Sequence, residues 1–368
     1  MSTNLEVGIL GLPNVGKTTL FNALTKAGVA VSSFVSGAIE PNVGVVDVPD
    51  PRLAALAAMY KPKKITPTKM QFVDIAGLGQ GASKGAGLGN KFLSHIRQVD
   101  AVIEVVRCFT DPGVMNADSE PNPLADIEIL NTELCLADIE TLEKRAERLQ
   151  KMAKSGDKRA QDELELAARL KASLEEIIPA RQVIGGEDEI ALVRELNLLT
   201  LKPILFVANI SEADAADPDA SPHVRAVKEY AAKAGAEAIA VCAKLEAEIA
   251  ELSDEEAATF LAEMGLSEAS LDKVIRAGYK LLGLITFLTA GEPEVRAWTI
   301  SRGTKAQKAA GKIHSDIERG FIRAELVAYT DLMAAGSFNA AKDKGLVRLE
   351  GKEYIMQDGD VVHFRFNV

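Results

Sequence analysis

Gly11-Leu12-Pro13-Asn14-Val15-Gly16-Lys17-Thr18 fits G-x-x-x-x-G-K-[ST], the pattern of a phosphate-binding loop. An apolar run, Val7 to Leu10, precedes it, and a helix-like pattern from Thr18 to Thr25 follows. Strand, loop and helix form the context in which the motif binds phosphate. Its glycines let successive backbone N–H groups turn inward around phosphate oxygens, and the helix N-terminus adds its positive dipole end. Asn14, Val15, Gly16, Lys17, Thr18 and Thr19 are therefore the candidate phosphate ligands. Lys17 reaches the β- and γ-phosphates and is a candidate catalytic residue. The Thr18 hydroxyl is a candidate ligand of Mg²⁺.

A second motif follows. Asp74-Ile75-Ala76-Gly77 ends an apolar strand and fits D-x-x-G. An Asp here holds Mg²⁺ through water, and the Gly77 N–H senses the γ-phosphate. The segment beyond is rich in glycine, at positions 77, 79, 81, 85, 87 and 89, which suits a switch. A third site reads the base. GTPases use N-K-x-D there, in which the Asp accepts two N–H bonds from guanine. In this chain the strand Ile204–Ala208 leads to Asn209-Ile210-Ser211-Glu212. Ile210 takes the Lys position, and Glu212 supplies a carboxylate one methylene longer. Adenine offers no ring N–H beside an amino donor, so displacing this carboxylate removes the main reason to select guanine. Cys242-Ala243-Lys244 stands where GTPases carry S-A-K. Asn209, Ile210, Glu212, Cys242, Ala243 and Lys244 are the candidate purine-site residues.

Composition narrows the class. The chain has 368 residues, is 47% hydrophobic and carries a net charge of −11. That length suits two or three domains. The acidic balance argues against a protein that simply coats nucleic acid, and DNA is not expected as a partner. The apolar run Leu281–Leu288 is too short to span a bilayer. The N-terminal residues lack a secretory pattern, so a cytoplasmic protein with no membrane partner is expected. Cys108, Cys135 and Cys242 are too far apart for a metal motif and read as buried apolar residues.

The organisation expected is α/β, with a nucleotide-binding domain over 1–125 and 201–284. A helical hairpin is inserted at 126–200, breaking at Lys154-Ser155-Gly156-Asp157. Residues 285–368 hold 12 Lys and Arg against 11 Asp and Glu, unlike the acidic remainder. They read as a small β-grasp module: a strand at 295–300, a helix at 311–320, and a hairpin of 354–356 with 361–366 turning at Asp358-Gly359. This module is either the surface that meets a macromolecule or a structural appendage.

With these residues in view, the chain resembles the YchF or Obg-like ATPase family of P-loop proteins. The resemblance also runs through Ile39–Gly44, Asn131-Thr132-Glu133-Leu134, Ile275–Lys280 and the segment from Asp358 to Val368. It implies an ATPase that also accepts GTP, a coiled-coil insertion, a C-terminal β-grasp domain of the TGS type, and association with ribosomes and their rRNA. Asn14 resembles the residue with which some GTPases use K⁺, so K⁺ joins Mg²⁺ as a candidate ion. Elsewhere the chain departs from its relatives. Ala38 stands where many members carry a Thr before I-E-P-N, and Asn116 lies near the position of a His. Leu78 replaces the water-positioning Gln of Ras-like enzymes. The mechanism read from the sequence is in-line attack of water on the γ-phosphate of ATP, slow without a partner. The alternatives are a true GTPase of ribosome assembly and a nucleotide-gated binding protein with little turnover. A small-molecule kinase would need an acceptor pocket and lid, which the sequence does not display.

Overall fold

The computed structural model describes residues 5–26, 41–75, 88–110 and 120–367. Its strands are β1 (Glu6–Leu10), β2 (Asn42–Asp47), β3 (Ile65–Thr66), β4 (Lys69–Asp74), β5 (Ala101–Arg107), β6 (Ile204–Asn209), β7 (Glu237–Val241), β8 (Leu284–Ala290), β9 (Val295–Ser301), β10 (Phe321–Ala328), β11 (Arg348–Glu350) and β12 (Asp360–Phe366). They form two six-stranded sheets, in the orders β2-β4-β1-β5-β6-β7 and β11-β10-β12-β8-β9-β3.

The chain divides into two compact units. The first holds residues 1–46 and 71–274 and is built on the first sheet. Strands β4, β1, β5, β6 and β7 pair in parallel. Parallel strands covered on both faces read as apolar runs, and β6 does so up to Asn209, as does β5 apart from Glu104 and Arg107. The expected neighbours Val43–Val48 and Met70–Asp74 lie side by side as β2 and β4. β1 is central, so the chain leaving its C-terminal end emerges among the carboxyl ends of its neighbours. Open α/β sheets bind ligands at that edge.

Two helices form the insertion expected from the sequence, at Pro123–Lys154 and Lys158–Glu175. The first starts on Asn122, whose Oδ1 accepts from the Ala125 N–H, with Pro123 in its first turn. Gly156, at φ +90°, makes the reversal between the helices, and Asp157 caps the second. Leu142, Leu166, Leu170 and Leu174 are buried in one cluster, giving the hairpin its own core. Asp138, itself fully buried, accepts from the Leu199 N–H and from the N–H and hydroxyl of Thr200.

Residues 47–70 and 275–368 make the second unit. β8 and β9 are antiparallel, β12 lies parallel to β8, and β10 pairs antiparallel with both β12 and β11. The helix Ala306–Ile313 covers this mixed sheet with Ala306, Ala309 and Ala310, whose small side chains allow close approach. The contribution of residues 47–70 had no signature in the sequence reading. Its helix Pro51–Tyr60 buries Leu53 and Leu56 against Leu288 and Val295, and β3 pairs with β9.

Two sequence expectations are corrected in this unit. The helix expected at 311–320 is two shorter ones, Ala306–Ile313 and Ser315–Arg319, separated by the extended residue His314. Residues 354–356 and 361–366 form no hairpin. β12 pairs with β10 and β8 instead, while Ile355 makes only an isolated bridge to Lys305. Asp358-Gly359 does turn, but it serves as a tie. Asp358 accepts from the Thr286 N–H at 2.8 Å and pairs with Arg52, also at 2.8 Å. A local turn signal cannot say which strands it joins.

Candidate functional site

The phosphate loop runs from β1 into the helix Lys17–Lys26 at the carboxyl edge of the first sheet. Close packing dictates its glycines. A β-carbon on Gly11 would lie 2.7 Å from the Val105 carbonyl oxygen, a backbone atom that cannot step aside. Gly16 sits at φ +88°, and a β-carbon there would lie 2.2 Å from the amide nitrogen of Asn209. Asn14 takes a left-handed conformation at φ 67°, which Asn tolerates better than most residues. Thr18 and Thr19 are exposed at the start of the helix.

Lys17 and Asp74 meet. In register, Ile9 of β1 stands beside Asp74 of β4, which brings the D-x-x-G aspartate next to the loop. The Lys17 ammonium donates to the Asp74 carboxylate, and both side chains are about nine-tenths buried. Thr18 and Asp74 offer only oxygen donors, the set Mg²⁺ prefers, so these residues fit that ion. Gly77, Ala38, Leu78 and Asn116 lie outside the described residues, as does most of the glycine-rich segment.

The base-site residues separate into two groups. Asn209 is buried and committed to the protein. Its Nδ2 donates to the Val15 carbonyl at 2.8 Å, and its Oδ1 accepts from the Ala243 N–H at 3.0 Å. It ties the phosphate loop to the Cys242–Lys244 segment. Ile210 is 4% exposed and belongs to the core around Leu245 and Ile249, so its side chain packs inward. Cys242 is also buried, and burial pushes its thiol above the usual range. The exposed members are Glu212 and Lys244, joined by an ion pair at 2.7 Å. The Glu212 carboxylate is thus engaged by the very segment that stands opposite it.

One polar group escaped the sequence reading. Glu104 interrupts the otherwise apolar β5, and it is 2% exposed. The charge of Arg181 acts on it, and Tyr230, which interacts with both, accepts from the Asn131 amide at 2.8 Å. Glu104 Oε2, Asn131 Oδ1, and Nε and Nη2 of Arg181 have no hydrogen-bond partner among the described residues. Desolvation dominates this pair. It raises the Glu104 carboxyl to about 8, partly offset by the Arg181 charge, and it lowers the Arg181 guanidinium. A single acid within Ala101–Arg107 was the signal available in the sequence.

A phosphate loop beside an acid-bearing strand end, on a parallel sheet with a displaced base-reading motif, defines a P-loop NTPase built on the GTPase plan. Residues 6–155 match a family model described as 50S ribosome-binding GTPase. Residues 284–367 match the YchF-GTPase C-terminal model, described as a protein of unknown function. The chain is 57% identical over 364 residues to the ribosome-binding ATPase YchF of Bacillus subtilis, covering 99% of this chain and all of that one. It is 51% identical over 363 residues to the protein of that name from Escherichia coli O157:H7, covering 99% of each. The solved structure of the Schizosaccharomyces pombe YchF GTPase is similar at a TM-score of 0.85 and 36% identity, covering 99% of this chain and 98% of that one. The chain belongs to the YchF family of ribosome-binding ATPases.

Proposed function

We propose that this chain is a slow ATP-hydrolysing switch that acts on the ribosome in the cytoplasm and accepts GTP less selectively. The observation that carries this reading is the pairing of Lys17 with Asp74 beneath the Gly11–Thr18 loop. An ammonium so placed can exchange its carboxylate partner for phosphate oxygens, and that exchange releases Asp74. Backbone N–H groups of Val15 to Thr19 hold the phosphates, with Lys17 stabilising the charge that develops as water attacks in line. The Thr18 hydroxyl and Asp74 would hold Mg²⁺, which supplies neutralising charge beside the β- and γ-oxygens when bound. Asn14 is the residue assigned to K⁺, and the Gly77 N–H to the γ-phosphate. No described helix is long and apolar enough to cross a membrane.

ATP preference is assigned to the Glu212–Lys244 pair and to the inward-packed Ile210. The pair occupies the carboxylate that would otherwise accept from guanine. The nucleotide domain is assigned to 1–125 and 201–284, the insertion to 126–200 and the TGS-like module to 285–368. Calorimetric titration with non-hydrolysable ATP and GTP analogues, followed by turnover measurements on the full chain, tests the reading. Tight and exclusive GTP binding would replace it with a GTPase of ribosome assembly. Tight ATP binding without turnover, with or without ribosomes, would leave a nucleotide-gated binding protein.

A further inference from the structure

Charge on the helical hairpin is sorted along its length. Residues 126–143 carry six acids and no Lys or Arg. Residues 144–159, the end of the first helix with the turn and the start of the second, carry seven Lys and Arg against two acids. Residues 160–176 return to five acids against two bases. In a chain with a net charge of −11, this tip is a local reversal of sign.

The hairpin's ion pairs lie below the tip. Lys144 pairs with Glu140, Arg145 forks onto Glu163 at 2.6 and 2.9 Å, Arg169 meets Glu189, and Lys171 meets Glu143. Beyond them Arg148, Lys151, Lys154, Lys158 and Arg159 are all exposed, and none forms an ion pair among the described residues. Arg148, Lys151 and Lys154 follow one another at intervals of three on the last turns of the first helix, with Met152 exposed among them. The tip is not slack. Leu149 and Ala160 are buried close to the turn, and the Asp157 cap fixes the second helix's first turn. A helix of 32 residues reaches about 48 Å, so this charge stands at the end of a stiff arm.

We propose that the hairpin tip is a phosphate-binding foot for RNA, in which Arg148, Lys151, Lys154, Lys158 and Arg159 contact the sugar–phosphate backbone. The proposal rests on the ribosome-associated reading above and adds the surface and its chemistry. Exposed, mutually repelling cations without acidic partners gain little from the fold, but they meet the dense negative charge of a nucleic-acid backbone favourably. The run of Arg302, Lys305, Lys308 and Lys312 in the second unit offers less. Its Lys308 pairs with Glu318 at 2.6 Å, and its Lys305 pairs with Glu353.

The test uses the full chain carrying K151E, K154E and K158E together, beside a control carrying K171Q at the hairpin's paired base. Cosedimentation with ribosomes is measured across a salt series, and binding to deproteinised rRNA is measured in parallel. Each phosphate contact contributes roughly 0.7–0.9 to the slope of log affinity against log salt. The triple variant should flatten that slope by about two and bind at least ~10-fold more weakly at low salt. K171Q should match wild type, and all three proteins should keep their far-UV circular dichroism and basal ATPase rate. Wild-type protein that fails to sediment would overturn the ribosome reading itself. A triple variant that sediments with an unchanged slope would overturn the foot alone. Loss of ribosome binding by the variant while wild type ignores free rRNA would assign the tip to a ribosomal protein and overturn the RNA assignment.

Discussion

Gly16 stands where a β-carbon would come within 2.2 Å of the Asn209 amide nitrogen, the atom that donates to the Val15 carbonyl. The phosphate loop and the base-site strand therefore share one contact, and neither side can change without the other. Gly16→Ala should strain the loop, since the position also needs a left-handed backbone. Strain of about 1–3 kcal/mol would weaken ATP binding roughly five- to a hundredfold. Titration with a non-hydrolysable analogue checks this, and unchanged affinity would contradict the packing described.

Asn209→Ala tests the same contact from the other side. It leaves the Val15 carbonyl and the Ala243 N–H without their partner, a loss of about 1–3 kcal/mol in stability. Both ATP and GTP should bind more weakly by similar factors, because Asn209 holds the framework of the site. A selective loss of one nucleotide would show that Asn209 reads the base.

Lys17→Ala should abolish hydrolysis and weaken ATP binding while leaving the fold intact. The Lys17–Asp74 pair joins the start of a helix to a strand end. Turnover assays with far-UV circular dichroism decide the matter. A folded Lys17→Ala protein with undiminished ATPase activity would refute the assignment of the site.

The base preference makes a sharper demand. Wild-type protein should bind ATP at least as well as GTP, and Lys244→Ala should move the preference toward GTP by releasing Glu212. Ile210→Lys is a poor way to restore a guanine site. Its side chain would enter the core, and an uncompensated buried charge costs up to about 3–5 kcal/mol. Competition binding with the two nucleotides, beside a thermal melt of each variant, separates the effects.

Glu104 predicts a pH dependence. Its carboxyl is raised to about 8 in the folded chain against an ordinary value of 4.5, so folding takes up a proton between those values. The stabilising contribution of the protonated form is complete below the unfolded value and is lost as pH rises toward 8. Glu104→Gln should therefore flatten the fall in melting temperature between pH 5 and 8 and should melt higher than wild type at pH 8. Parallel curves for the two proteins would mean that Glu104 is ionised throughout.

How much of this was legible follows from where each signal resides. The phosphate loop, the D-x-x-G aspartate and the inserted hairpin are local patterns, and the register of β1 with β4 simply brings the first two together. The burial of Ile210 was not legible, because a motif position names a place in the chain and not a direction. Ile210 lies just past β6, and its side chain packs in the core with Leu245 and Ile249. The sorting of charge along 126–176 was present in the sequence, but the cations of the tip could be told from paired ones only once Arg145 was seen to face Glu163. The placement of residues 47–70 was illegible, because β3 is two residues long and its partner β9 is far along the chain.

That segment bears on how the protein is made. Leu53 and Leu56 are made well before the residues packed in their cluster, Leu288, Val295 and Val361, which follow them by more than 200 positions. At about 5–20 residues per second they wait roughly 12–60 s for those partners. Over that interval a short apolar helix is exposed on a nascent chain whose first sheet is already gaining its strands. β12 lies between β10 and β8, so the second sheet joins up only once that strand has been made.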